Sequence, residues 1–343
     1  MIPFLIGIPA VLAVVFQIVR NEKIRGYIVY AGAGAIMAMT VVFIADWIGG
    51  GAKTWMFYPR TETIDHLMTA GDIFLMCLIV WLSVRYKRVL PMILSILQTV
   101  LVLYVEFTAE VTEGPHMMVD WLTILMCIII AFIGGFICIY TVGYMKGYHQ
   151  HHKDVKDRQP FFFSMLFLFL AAMFGLVLSQ NLIWIYFFWE ITSVISFLMI
   201  GYTRAEEAVG NSFCALWMNL LGGLGFAIAI VLMALGQESL QLTEVVSTGA
   251  LLPLMCLSLA GLTKSAQLPF STWLLGAMVA PTPSSALLHS ATMVKAGVYL
   301  LIRISPALSG NLVGLIVSSI GGLTFIMASM MAIAQNDAKK VLA

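Results

Sequence analysis

The chain has 343 residues, 61% hydrophobic and only 10% charged, and its 18 Lys and Arg nearly cancel its 17 Asp and Glu. That composition lies far outside the range of soluble globular domains and describes an integral membrane protein. Its hydrophobicity runs continuously instead of alternating, which excludes a β-barrel; a formal net charge of +1 says nothing about partners, and no nucleic-acid partner is expected.

A helix needs about 20 apolar residues to cross a ~30 Å hydrocarbon layer, and eleven runs come near that length. In chain order they are expected near 3 to 19, 26 to 48, 66 to 84, 90 to 105, 119 to 141, 161 to 179, 183 to 202, 211 to 235, 250 to 280, 284 to 303 and 311 to 334. No Lys or Arg precedes the first run and no small-residue cleavage site follows it, so a retained helix is expected there, not a signal peptide. Charge tests the threading. Arg20, Lys23, Arg25, Arg85, Lys87, Arg88, Lys146, Lys153, Lys156, Arg158, Arg204, Lys339 and Lys340 collect on one side of it. Lys53, Arg60 and Arg303 fall on the other, beside Glu106, Glu110, Glu113, Glu238 and Glu244. Cytoplasmic connections carry the excess of Lys and Arg, so the N-terminus is expected outside.

Cys77, Cys127, Cys138, Cys214 and Cys256 lie in apolar runs without CxxC spacing, which argues against zinc, iron–sulfur ligation and disulfides and leaves them as packing residues. The GG pairs at 134, 222 and 321 suit close helix contacts. His149, His151 and His152 stand among Lys153, Asp154, Lys156, Asp157 and Arg158, a solvated loop with metal binding as the lesser reading.

An ionisable side chain in the bilayer core costs ~2.5 to 3.5 kcal/mol on insertion scales, so each one kept there is a candidate for function. Glu190, Lys264, His289 and Lys295 qualify, whereas Asp46, Asp72 and Glu106 lie near span ends and are expected to reach the interface. Lys264 stands five residues before Pro269. The proline removes a helical hydrogen bond and collides with the carbonyl of Ser265, so the helix should break. The freed carbonyls, with Ser265, Gln267, Ser271 and Thr272, are expected to solvate the ammonium, and Glu190 is its expected carboxylate partner. A lysine held between desolvation and a nearby carboxylate can change its protonation state. His289 and Lys295, six residues apart, lie about 120° apart on one helix and ~9 Å along it, suiting successive steps of a path. The four groups suit proton relay better than the binding of a neutral solute. A purely structural Glu–Lys lock, or a histidine satisfied by a neighbouring carbonyl, remains the plainer alternative.

The stretches FFWE…LMIGY, GLTKSAQLPFSTWLLGAMVAPTPSSALLHSATMVKAGVYL and AIAQNDAKKVLA resemble the antiporter-like membrane subunits of respiratory complex I, membrane-bound and hydrogenase-4 type hydrogenases, and multi-subunit cation/proton antiporters. The likeness covers about residues 119 to 343. It implies an all-α polytopic bundle with two inverted five-helix repeats, each with a broken helix. Residues 1 to 118 then supply about four N-terminal spans, about 161 to 303 the first repeat, and 311 to 343 the start of a second, truncated one.

The resemblance assigns ion translocation to Glu190, to Lys264 on the helix broken at Pro269, to His289 and to Lys295. It places Gly222 and Gly223 where some complex I members carry an acid. The subfamily implied by the VKAGVYL lysine and the extra spans over 66 to 105 is the large membrane subunit of an Ech-type [NiFe] hydrogenase. That subunit would move protons or sodium ions in the inner cell membrane. It would have no catalytic centre or cofactor of its own, and the NiFe and iron–sulfur centres would sit in a peripheral redox module. A subunit of a secondary cation/proton antiporter is the first alternative, and a structural membrane anchor the second.

Overall fold

The computed structural model describes residues 1–58, 62–108, 114–153 and 155–343, with the side chains of residues 290 and 291 excepted. Arg60, Glu110, Glu113 and Asp154 of the expected loops lie outside the described residues. Helices α1 (Ile2–Ile18) and α2 (Glu22–Gly49) lead to strand β1 (Trp55–Phe57). Helices α3 (Glu62–Arg85) and α4 (Val89–Thr108) follow, and then strand β2 (Met117–Val119), which pairs antiparallel with β1, Trp55 opposite Val119. This short ribbon, absent from the sequence reading, brings the chain back to where it left, so α3 and α4 form a hairpin let in between two paired strands.

The next helix runs from Trp121 to His151 as α5 (Trp121–Ile128), a π-helical turn at Ile129–Ile133 and α6 (Gly134–His151). Then come α7 (Gln159–Leu178), α8 (Leu182–Ile200), α9 (Glu206–Leu235) and the short α10 (Leu242–Thr248). The expected span at 250 to 280 is α11 (Leu251–Lys264), an irregular stretch and α12 (Thr272–Gly276). After α13 (Thr282–Ala286) a π turn at Leu287–Ala291 leads into α14 (Met293–Leu308), and α15 (Leu312–Ile333) and α16 (Ala338–Leu342) complete the order. Among the described residues nine helices are long and apolar enough to cross a membrane, and the shorter apolar α1 and α11 fall on the two remaining expected runs.

Helix starts follow local chemistry. Asn21, Asp120, Asn181 and Asn311 each turn a side-chain oxygen onto free backbone N–H groups of the first turn. Packing then sorts helices of equal apolarity: 89% of the apolar window of α7 lies inside the protein, against 6% of that of α15. Helix α7 is the buried hub, lined by α1 and α8, while α9 packs on α4, α8 and α11. The helices before residue 119 thus pack directly on those after it. Small residues let backbones approach where polar groups are held. A Cβ on Gly222 would lie 2.0 Å from Thr263 Oγ1, and one on Gly225 2.9 Å from the Cys256 carbonyl, so α9 accepts only hydrogen facing α11. Gly134 is pressed likewise on Leu170, but Gly321 and Gly322 have no atom within 4 Å of a built Cβ, so that third pair is no close contact here. Of the cysteines, Cys127 and Cys138 are buried as packing residues, whereas Cys77 is exposed.

Candidate functional site

Helix α11 stops at Lys264, because Ser265 caps it and Ala266 turns to a positive φ of 54° ahead of the Leu268–Pro269 bond, which is cis. About 13 residues separate Lys264 from the start of the helix, some 20 Å at 1.5 Å per residue, which places it deep within the bundle. Its side chain has no exposure to solvent.

The ammonium is not solvated by its own broken helix, contrary to the expectation. The carbonyls there are taken locally: Gly261 and Leu262 accept from the N–H groups of Ser265 and Gln267, and Thr263 accepts from the Trp273 indole at 3.0 Å. Lys264 reaches across to α8 instead. Its Nζ donates to the Trp189 carbonyl at 3.0 Å and to Ser193 Oγ at 2.8 Å, and stands 4.9 Å from the centre of the Trp189 ring. The break's contribution is to end the helix at Lys264, from which the side chain reaches α8. Gly261 and Gly297 then let α14 press against that end, with a Cβ on Gly297 falling 2.5 Å from the Gly261 carbonyl and 2.7 Å from the Ser265 nitrogen.

Glu190 follows Trp189, only 3% exposed, and among the described residues the Gln98 amide is the one side chain that approaches its oxygens as a hydrogen-bond partner, without reaching good geometry. It forms no ion pair within 4 Å with Lys264, although the two are near enough for their charges to act on each other. The arrangement therefore puts an ammonium and a buried carboxylate in one polar pocket without locking them together. A locked pair holds two helices; a loose one leaves the carboxylate able to take up or give away a proton.

Two residues beside this pair were not legible as site residues. Gln98 of α4, 1% exposed, lays its amide against the Glu190 carboxylate, and both side-chain oxygens crowd the bare face of Gly223. Asp72, expected at the interface, is 4% exposed in the middle of α3, within electrostatic reach of Glu190. Distance from the span end misled because α3 packs its Asp72 face on α8 instead of on lipid. The available signal was the polar stripe Ser95, Gln98 and Thr99 on one face of an otherwise apolar α4.

The other two predicted residues are not brought to the pair. His289 is half-buried in the π turn, its Nε2 3.4 Å from the Ala343 carbonyl, and Lys295 is exposed on α14. At the far end of α14, Arg303 forks onto Asp120 and donates to Thr123 Oγ1 at 2.7 Å. Burial opposes ionisation of Asp120, but the bonds from Arg303 and the Thr123 backbone outweigh it and hold the carboxyl below its ordinary range.

Residues 179–343 match the family described as NADH:quinone oxidoreductase/Mrp antiporter, TM, and residues 114–154 match that described as NADH-Ubiquinone oxidoreductase (complex I), chain 5 N-terminus. The Na(+)/H(+) antiporter subunit A1 of Staphylococcus haemolyticus is 39% identical over 235 residues, which is 65% of this chain and 28% of that protein. A putative antiporter subunit mnhA2 of Staphylococcus aureus is 37% identical with the same coverage. The chain thus spans about 28% of the length of these curated relatives. Among solved structures, the Mrp complex from Dietzia sp. DQ12-45-1b superposes with a TM-score of 0.59 at 26% identity, over 80% of this chain and 32% of that one.

Proposed function

Because this chain belongs to the antiporter-like superfamily of membrane subunits, to which complex I and Mrp antiporter subunits also belong, we propose that it translocates protons or sodium ions within a multi-subunit cation/proton antiporter. The relatives favour this reading over the hydrogenase subunit expected from the VKAGVYL lysine, since those compared are antiporter subunits. One observation carries it: a fully buried lysine ends a broken helix and is held by a neighbouring helix, near a buried carboxylate with which it forms no ion pair. Such a group is costly to keep in a membrane and pays back only if its charge is used.

In this reading Glu190 takes a proton and gives it up, and the charge of Lys264 sets how readily it does so. Ser193 and the Trp189 carbonyl hold the ammonium in place while that happens. His289 and Lys295 belong to later steps of the path, beyond the pair. The partners are other membrane subunits, and the chain is multi-pass in the cell membrane with its N-terminus outside.

The test is Lys264→Ala in the assembled complex, with cation-driven proton movement followed by a ΔpH dye in inside-out vesicles. Assembly at wild-type levels with flux largely lost is the expected result. Flux at the wild-type rate would reduce the pair to a structural lock and the subunit to an anchor. Copurification of a NiFe or iron–sulfur subunit would return the hydrogenase reading.

A further inference from the structure

The α3–α4 hairpin lies outside both matched segments, and its two helices bring Gln98 and Asp72 to the neighbourhood of Glu190. Its placement is set by contacts along α8. Asp65 accepts from the Trp184 indole at 2.8 Å, and Gly71 is pressed on the Phe187 ring, where a Cβ would fall at 2.6 Å. Helices α3 and α8 therefore run side by side in the same direction, which brings Asp72 to about the depth of Glu190. That depth is eight residues into α8, some 12 Å from its start.

Polar side chains of α4 and α8 gather around the two carboxyls. Tyr186, one turn before Glu190 on α8, bonds Thr99 of α4 and lies within electrostatic reach of Glu190, Asp72 and Glu106. Gln98 stands against Glu190, and Ser95 is one turn further along the same face of α4. Several of these atoms are orphans. Asp72 Oδ2, Glu190 Oε1 and Oε2, Gln98 Oε1 and Ser95 Oγ are all buried without a partner. Glu106 extends the line toward the end of the hairpin that carries β1 and β2. Asp65 and His66 act on its charge there, and Thr69, whose hydroxyl donates to the Asp65 carbonyl at 2.9 Å, stands beside them.

The charged and titratable groups acting on Asp72 are Glu190 and Tyr186 from α8 and Glu106 from α4, and none of the three is a cation. Lys264 from α11 acts on Glu190. A cation site would need a cage of oxygens around one point, and among the described residues these carboxyls form no group of three that could hold a metal ion. Two buried carboxyls that act on each other's charge are held most cheaply when one of them is protonated.

We propose that the α3–α4 hairpin adds a proton branch to this subunit, in which Asp72 exchanges a proton with Glu190 across Gln98, Thr99 and Tyr186, reaching the β1–β2 end through Glu106. The proton leaves the Asp72 carboxyl, which becomes a carboxylate, and arrives on the Glu190 carboxylate, so charge is conserved across the pair. This rests on the role given to Glu190 and Lys264 above.

The test uses the assembled complex carrying Asp72→Asn, with Glu190→Gln and Lys264→Ala measured beside it in the same vesicles across a pH series. Asp72→Asn keeps the shape of the side chain and removes its titration. The expected result is wild-type assembly, a loss of proton flux of about tenfold, equal to about 1.4 kcal/mol on the barrier, and one fewer titration in the pH profile. Asp72→Glu should restore much of the flux. If Glu190→Gln and Lys264→Ala abolish flux while Asp72→Asn keeps the wild-type rate and profile, the branch is refuted and the main reading stands. If all three are without effect, both fall. Should Asp72→Asn fail to assemble, Tyr186→Phe decides: it removes one hydroxyl from the line, and an unchanged rate and profile would overturn the branch.

Discussion

Replacing Gly297 by alanine tests how the lysine is positioned, by changing a residue that carries no charge. The new methyl would lie 2.5 Å from the Gly261 carbonyl oxygen, 2.7 Å from the Ser265 nitrogen and 3.1 Å from Lys264 Cβ. The first two are backbone atoms, so no side-chain rotation can make room. Ordinary contact begins near 3.4 Å, so α11 and α14 must separate by about 0.9 Å. Overpacking of that kind costs about 1 to 3 kcal/mol. It would also move the Lys264 ammonium against α8 by a similar distance, and a hydrogen bond of useful strength spans only about 2.7 to 3.2 Å. The bonds to the Trp189 carbonyl and Ser193, now 3.0 and 2.8 Å, would not both survive. Thermal midpoints of the detergent-solubilised complex, read by fluorescence-detected size exclusion, should fall by several degrees, and flux in vesicles should fall with them. Gly210→Ala on α9, where no atom lies within 4 Å of the new methyl, is the matched control and should do neither. A Gly297→Ala complex with the midpoint and flux of the wild type would refute the packing argument.

A methyl on Gly223 would lie 2.4 Å from Glu190 Oε1 and 2.7 Å from Gln98 Oε1, and both are side-chain ends that can swing away. Gly223→Ala should therefore leave the thermal midpoint nearly unchanged while reducing vesicle flux, a split that a purely structural role for Glu190 would not give. The Asp120 carboxyl, held below its ordinary range chiefly by Arg303, contributes stability that is present above the unfolded value of about 3.9 and is lost as pH falls through the lower folded value. Midpoints measured from pH 7 downward should show an acid decline below about pH 4. Asp120→Asn should be less stable at pH 7 and lack that part of the decline.

Much of the fold was legible because lipid imposes simple rules. A run such as 161 to 179 can only be a helix where no water satisfies its backbone, and Asn21, Asp120 and Asn181 mark helix starts by local hydrogen bonding. The end of α11 was legible for a similar reason, since Pro269 acts on residues four positions away. The β1–β2 pairing was not, because three-residue strands on either side of a long hairpin leave no periodic trace. Within the site, the expected partner of Lys264 was placed near it, but the atoms that hold the ammonium belong to a backbone carbonyl and a serine, which no residue pattern distinguishes.

What the sequence determined by itself is which segments are apolar enough to enter the membrane and that Glu190 and Lys264 lie well inside them, because the cost of burying a charge in lipid is carried by each residue separately. Only the tertiary structure decided which apolar faces meet protein and which meet lipid. Leucine, valine and phenylalanine serve both surroundings equally well, so α7 and α15 read alike although one is buried and the other exposed. That choice moved Asp72 from an expected interface to the neighbourhood of Glu190, and it left Lys295, expected within a span as a step of the path, exposed on α14.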